Sequence, residues 1–214
     1  MYTVELYKLI EEGEGSKIEF KRKFSSPQKI AKEMIAFANT NGGYILFGVD
    51  DDRSIVGVES EKSELDLIDT AAKFYCEPEV DYRTEIVPIK SKDVVVIEIP
   101  ESRKKPHKLV DDEDKDSTRI YVRFKDKSVI ASKETASILK YSNVDSPPMI
   151  ISLGELEKML VNYLEEHESI TVKGFRKLAN ISERRASRTL VNLVRAGVIR
   201  HHRIDTKEFY TICN

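Results

Sequence analysis

Apolar residues recur along this chain in two rhythms, one helical and one of strict alternation. Val4, Leu6, Leu9 and Ile10 repeat at helical spacing from Thr3 to Glu12, and Gly13 and Gly15 end the run. Ile18 and Phe20 then alternate with Lys17, Glu19 and Lys21, which predicts a strand with one apolar face. Ser26 is a good N-cap and Pro27 suits a first helical position. Ile30, Met34 and Phe37 follow at i, i+4, i+7, so a second helix is expected up to Asn41-Gly42-Gly43. Tyr44 to Val49 is almost wholly apolar and predicts a central strand covered on both faces. Asp50 to Ser54 reads as a turn, with Ile55 to Val58 as a partner strand.

A helix from Ser63 to Tyr75 and a hairpin of Val80 to Ile89 with Val94 to Ile99 come next. "ESRKKPHKLV" is a basic loop entering a short strand, "DDEDKDS" an acidic turn, and Arg119 to Phe124 a further strand. Ser132 can cap a short helix ending near Tyr141. Helices and strands interleave but hairpins dominate, so the first region is expected to be α+β. The adjacent prolines of "NVDSPPMI" mark a linker. The expected organisation is a first domain over 1–145, a linker over 146–152 and a second domain over 153–214.

The second domain fits a small winged helix-turn-helix. Helices are expected over Leu153–Glu166, Val172–Ala179 and Glu183–Ala196, with Thr171 and Ser182 as caps. "VIRHH" and "EFYTI" read as two wing strands. At about 100° per residue, Ala186, Leu190, Leu193 and Val194 share one side of the third helix. Arg184, Arg185, Arg188, Asn192 and Arg195 share the other. In a helix-turn-helix this is the helix that enters the major groove, where Arg pairs with guanine and Asn with adenine. Arg200, Arg203 and Lys207, with His201 and His202, could hold phosphates from the wing. A solvated arginine-rich face, or a protein-interaction module without nucleic-acid binding, are the competing readings.

The charge distribution agrees with a division of labour. The whole chain carries a net charge of −2, but residues 148–214 hold 11 Lys and Arg against 8 Asp and Glu. The preceding residues hold 24 against 29. Cys76 and Cys213 match no metal or redox spacing. No apolar run approaches the length of a membrane span and the N-terminus has no secretory pattern, so a cytoplasmic protein is expected, with no membrane partner.

"EGSKIEFKRKF", "IAKEMIAFANTNGGYILFGVDDDRSIVGV", "KKPHKLV" and "RIYVRFKDKSVIASKE" together resemble the Schlafen AlbA_2 family. The resemblance implies an α+β AlbA_2-like mixed sheet with helices and a DNA-binding role. Bacterial members of the transcriptional-regulator type carry a C-terminal winged helix. It also implies an alternative, because some animal relatives cut RNA with a metal-bound carboxylate trio. Carried over by motif, that trio is Glu14, Glu19 and Asp51, which would hold Mg²⁺ or Mn²⁺ through hard oxygen ligands. Outside that alternative no cofactor is expected and the chain reads as a binding protein rather than an enzyme. "NTNGGYILFG" leads into a strand without the lysine of a phosphate loop, which argues against nucleotide binding.

Two further basic clusters are candidate phosphate contacts: Lys21, Arg22 and Lys23, then Arg103, Lys104, Lys105, His107 and Lys108. The leading expectation is thus a transcriptional regulator that binds double-stranded DNA, with RNA as the other nucleic-acid candidate. A homodimer is expected, because one recognition helix gives limited affinity.

Overall fold

The computed structural model describes residues 3–110, 119–143 and 151–213. They form an α+β fold with seven helices, one mixed four-stranded sheet and three two-stranded ladders among the described residues. The chain divides into two units, Met1–Ala131 and Ser132–Asn214. The acidic "DDEDKDS" segment and most of the 146–152 linker lie outside the described residues.

In the first unit, α1 (Thr3–Glu12) leads into β1 (Ile18–Lys21), α2 (Pro27–Asn39) and β2 (Gly43–Phe47). Ser26 caps α2 as its spacing predicts, its side chain accepting from the Lys29 amide. The α2–β2 reversal requires both glycines. Gly42 has a φ of +68°, a left-handed conformation that a side chain would strain. A Cβ on Gly43 would fall 2.5 Å from the Lys17 carbonyl oxygen and from the Phe37 ring. β2 pairs parallel with β1 and antiparallel with β5 (Lys92–Ile99). Strand β4 (Arg83–Ile89) forms the other edge.

β2 is covered on both faces, as its apolar run predicts. Ile45 and Phe47 pack with α2 residues Ile30, Met34 and Phe37. Leu46 packs in a second cluster with Leu6, Ile10, Ile18 and Phe20. The same double cover corrects the reading of β1: Glu19, expected on a polar face, is itself buried. Ile55 to Val58 forms no strand; an isolated bridge, Val49 to Ile55, and the Val56 and Gly57 amides donating to the Gly48 carbonyl at 2.9 Å join it to the chain before the turn.

Helix α3 (Glu61–Phe74) begins at a Ser60 cap, and β3 (Cys76–Glu77) pairs with β6 (Lys108–Leu109). The hairpin of β7 (Tyr121–Phe124) and β8 (Lys127–Ile130) closes the unit.

In the second unit, α4 (Lys133–Lys140) precedes α5 (Glu155–Glu166), α6 (Val172–Leu178) and α7 (Glu183–Arg195). The antiparallel pair β9 (Ile199–Ile204) and β10 (Lys207–Ile212) ends the chain. Leu160, Leu164, Phe175, Ala186, Leu190, Leu193, Ile199 and Tyr210 make its core. α4 lies within this unit.

Candidate functional site

The side of α7 opposite the core is the first candidate. Ser182 caps the helix by accepting from the Arg185 amide at 3.3 Å. Ala186, Leu190 and Leu193 enter the core as the 100° arithmetic requires. Arg184, Arg185 and Arg188 are exposed. Asn192 and Arg195, expected to be equally free, are half-buried, and Val191 beside them is buried.

The cause is α4, which runs alongside α7. Glu134 accepts a hydrogen bond from the Ser187 hydroxyl at 2.6 Å. One helical stretch further on, the Arg195 guanidinium lies 3.4 Å from the centre of the Tyr141 ring, a cation–π contact. A groove of about 740 Å³ separates the helices, lined by Lys133, Ser137, Tyr141, Arg184, Arg188 and Asn192 among others.

The two-stranded element extends this basic surface only in part. Arg200 and Lys207 are exposed, whereas Arg203, His201 and His202 are half-buried. Arg203 donates from Nε to the Asp205 carbonyl at 3.1 Å. His202 is 2.9 Å from the Thr211 hydroxyl. Glu208 on β10 accepts from the Ser132 hydroxyl at 2.7 Å and the Thr135 hydroxyl at 3.2 Å. Its other charged neighbours are His201, 3.3 Å away, and Arg203, 3.8 Å away. Burial pushes the Glu208 carboxyl up, but hydrogen bonds from His201, Ser132 and Thr135 outweigh it and hold the group below its ordinary value.

The carboxylate trio is not assembled as a ligand set. Among the described residues no group of three His, Cys, Asp or Glu side chains could hold a metal ion. Glu14 accepts from the Phe20 amide at 2.9 Å. Its carboxyl is raised, first by burial and then by the nearby charges of Glu19 and Asp51, so the three do share a neighbourhood. Glu19, however, bonds Lys21 through one oxygen and Arg123 through the other, the latter at 2.6 Å. Asp51 is exposed on its turn. A metal at Glu19 would have to displace two cations that already satisfy it.

Arg123 is the residue that sequence reasoning missed. Its side chain is 1% exposed. It donates to the Gly15 carbonyl at 3.0 and 2.9 Å, the Ile18 carbonyl at 3.2 Å and Glu33 at 3.1 Å, besides Glu19. Its plane lies over the Phe37 ring at 4.7 Å. The only local signal is a lone arginine inside the apolar run "IYVRF".

Both secondary basic clusters are largely consumed by the fold. Lys21 pairs with Glu19 and Arg22 with Asp50. Lys105 is buried, donating to the Thr40 carbonyl at 3.1 Å and to Glu101 at 2.6 Å. His107 is 1% exposed and bridges the Pro78 carbonyl at 2.7 Å and the Ser102 hydroxyl at 2.6 Å. Asn39 brackets its backbone, accepting from its amide at 2.8 Å and donating to its carbonyl at 2.9 Å. Lys108 lies 3.5 Å from Glu77. Lys23, Arg103 and Lys104 are exposed. Neither Lys105 nor His107 is therefore a surface phosphate contact, because each is spent on internal oxygen acceptors.

The buried centre involves the segments on which the family resemblance rests: "EGSKIEF" supplies Gly15, Ile18 and Glu19, and "RIYVRF" supplies Arg123. The Schlafen, AlbA_2 family model matches residues 14–132. The chain belongs to the Schlafen AlbA_2 family. An uncharacterized ATP-binding protein of Ureaplasma parvum serovar 3 is 33% identical over 88 residues, which is 38% of this chain and 24% of that protein. The chain thus matches about a quarter of the length of this curated relative. Among solved structures, the N-terminal domain of a RecG-related protein from Nitrosomonas europaea is similar over 59% of this chain and 94% of that one. The identity is 22% and the TM-score 0.40. The DIP2311 protein of Corynebacterium diphtheriae is similar over 97% of this chain and 38% of that one, at 16% identity and a TM-score of 0.48. No helix among the described residues is long and apolar enough to cross a membrane.

Proposed function

We propose that this AlbA_2 protein is a DNA-binding regulator in which the second unit acts as a winged helix-turn-helix. The observation that carries the reading is the exposed triplet Arg184, Arg185 and Arg188 on the N-terminal half of α7. In helix-turn-helix proteins the N-terminal residues of the second helix of the motif reach the base edges. Arg is also the side chain best matched to guanine in the major groove. Exposed Arg200 and Lys207 on the β9–β10 pair would hold phosphates beside it. Pairing of two copies on a symmetric site would add the affinity that one recognition helix lacks.

The test is duplex binding by the full chain across a salt series, for the wild type and an Arg184→Ala/Arg188→Ala variant. The variant should lose at least about tenfold in affinity and show a shallower salt dependence, since each lost phosphate or base contact removes a share of counterion release or specific bonding. Equal binding and equal slopes would transfer the protein to the class of interaction modules. Metal-dependent RNA cleavage is not favoured, because Glu19 is held by Arg123 and Lys21.

A further inference from the structure

The arginine side of α7 is not open along its whole length, and what covers it is a helix of the same chain. An α-helix with its side chains is about 10–12 Å across, and the major groove is about 12 Å wide. One helix fills that groove. A second helix packed alongside, at the usual 8–10 Å between axes, cannot enter with it. α4 lies on the side of α7 that carries Arg188, Asn192 and Arg195, reaching Ser187 through Glu134 and Arg195 through Tyr141.

The attachment of α4 is mainly polar. Of its eight residues only Leu139 is buried. Residues 134–138 are half-buried, and the polar ties include the Glu134–Ser187 hydrogen bond, the Tyr141–Arg195 stack and the bonds from Ser132 and Thr135 to Glu208. All three partners so engaged, Ser187, Arg195 and Glu208, sit on elements that the DNA-binding reading directs toward the duplex. A helix held by one buried leucine and a few polar ties can open locally without unfolding the core behind α7. That core is formed by Leu160, Leu164, Phe175, Leu190 and Leu193, none of which belongs to α4.

We infer that α4 is a detachable cover: it occupies the duplex-facing side of α7, and full duplex engagement requires its release. The inference rests on the DNA-binding reading above and states how that site is regulated. While α4 is docked, Arg184, Arg185 and Arg188 remain accessible for a first encounter, and Asn192 and Arg195 are withheld. Apparent affinity is then reduced in proportion to the fraction of molecules with the cover open. Anything that holds α4 elsewhere raises affinity without touching the DNA-contacting side chains.

The experiment compares the full-length wild type with Tyr141→Ala, Glu134→Ala and the double variant. Each is titrated with a labelled random-sequence duplex at low salt, and amide hydrogen exchange is followed with and without duplex. The double variant should bind on the order of tenfold more tightly than the wild type, with each single variant between them. Duplex should speed exchange across 133–140 in the wild type while α7 amides stay protected. Protection of α7 also shows that each variant is folded, and Tyr141→Ala, the milder change, removes a partly exposed ring alone. Equal affinity for all four proteins, with 133–140 still protected in the complex, would overturn the cover and leave the DNA-binding reading standing. Absence of duplex binding by every protein would overturn both.

Discussion

Arg123 and Arg188 carry the same side chain to opposite ends. Arg123 is 1% exposed and has its donors taken by Gly15, Ile18, Glu19 and Glu33, with Phe37 beneath its plane. Arg188 is exposed on a capped helix whose opposite face fills the core of its unit. A planar fork of five donors can stitch a buried junction or read an external anion, but one side chain cannot do both at once. Arg195 stands between these extremes, half-buried and stacked on Tyr141. The comparison separates arginines that build the AlbA_2 unit from those available to a partner.

The largest effect that would break this comparison lies at Arg123. Replacing it with Ala leaves the buried carboxylates of Glu19 and Glu33 without their guanidinium, which should cost about 3–5 kcal/mol of stability in denaturant melts. Lys should rescue little of this, because one ammonium cannot span two carboxylates and two carbonyls. A loss below about 1 kcal/mol would show that Arg123 holds Glu19 only weakly, and would reopen it as a metal ligand.

A smaller effect is expected at His107, the buried member of a cluster that looked like surface charge. Burial pulls its pKa below the ordinary value, with the Pro78 carbonyl opposing. The native state therefore takes up a proton less readily than the unfolded state, which at low pH binds more. Stability from this group is fully present above about pH 6.5 and falls as pH drops through that value toward the depressed native pKa. His107→Gln should show a shallower decline in stability between neutral and mildly acid pH than the wild type. Parallel declines would mean that the ring is not held neutral. At neutral pH His107→Ala should cost about 1–3 kcal/mol, because its polar partners are left unsatisfied.

Local features of the fold were legible because their causes are local. Ser26, Thr171 and Ser182 cap the helices they were expected to cap. Gly42-Gly43 ends α2, and β2 is buried on both faces. What was not legible depends on residues far apart in the chain. Alternation in "KIEFK" correctly assigns Ile18 and Phe20 to a core, but it cannot reveal that Arg123, some hundred residues later, covers the other face. Spacing along α7 separates an apolar side from a polar one, but it does not fix what the polar side meets. One residue carried a warning: Val191 lies at the edge of the arginine stripe and is buried. An apolar residue there is what a second packed helix requires.

The smallest effects sharpen the distinction within α7 itself. Arg188→Ala should leave stability within about 0.5 kcal/mol of wild type, as expected for an exposed side chain with no structural partner among the described residues. Arg195→Ala should cost somewhat more, about 0.5–1 kcal/mol, by removing the stack on Tyr141. In duplex binding the order reverses for an additional reason. On the proposed DNA-binding function, loss of Arg188 removes a contact and weakens affinity. Loss of Arg195 removes a contact and also loosens the helix that covers it, so the two consequences oppose each other. Thermal melts and titrations on the same two variants separate these terms. If Arg195→Ala weakens binding as much as Arg188→Ala while destabilising the protein no more, Tyr141 is only a neighbour, and α4 exerts no hold on the C-terminal half of α7.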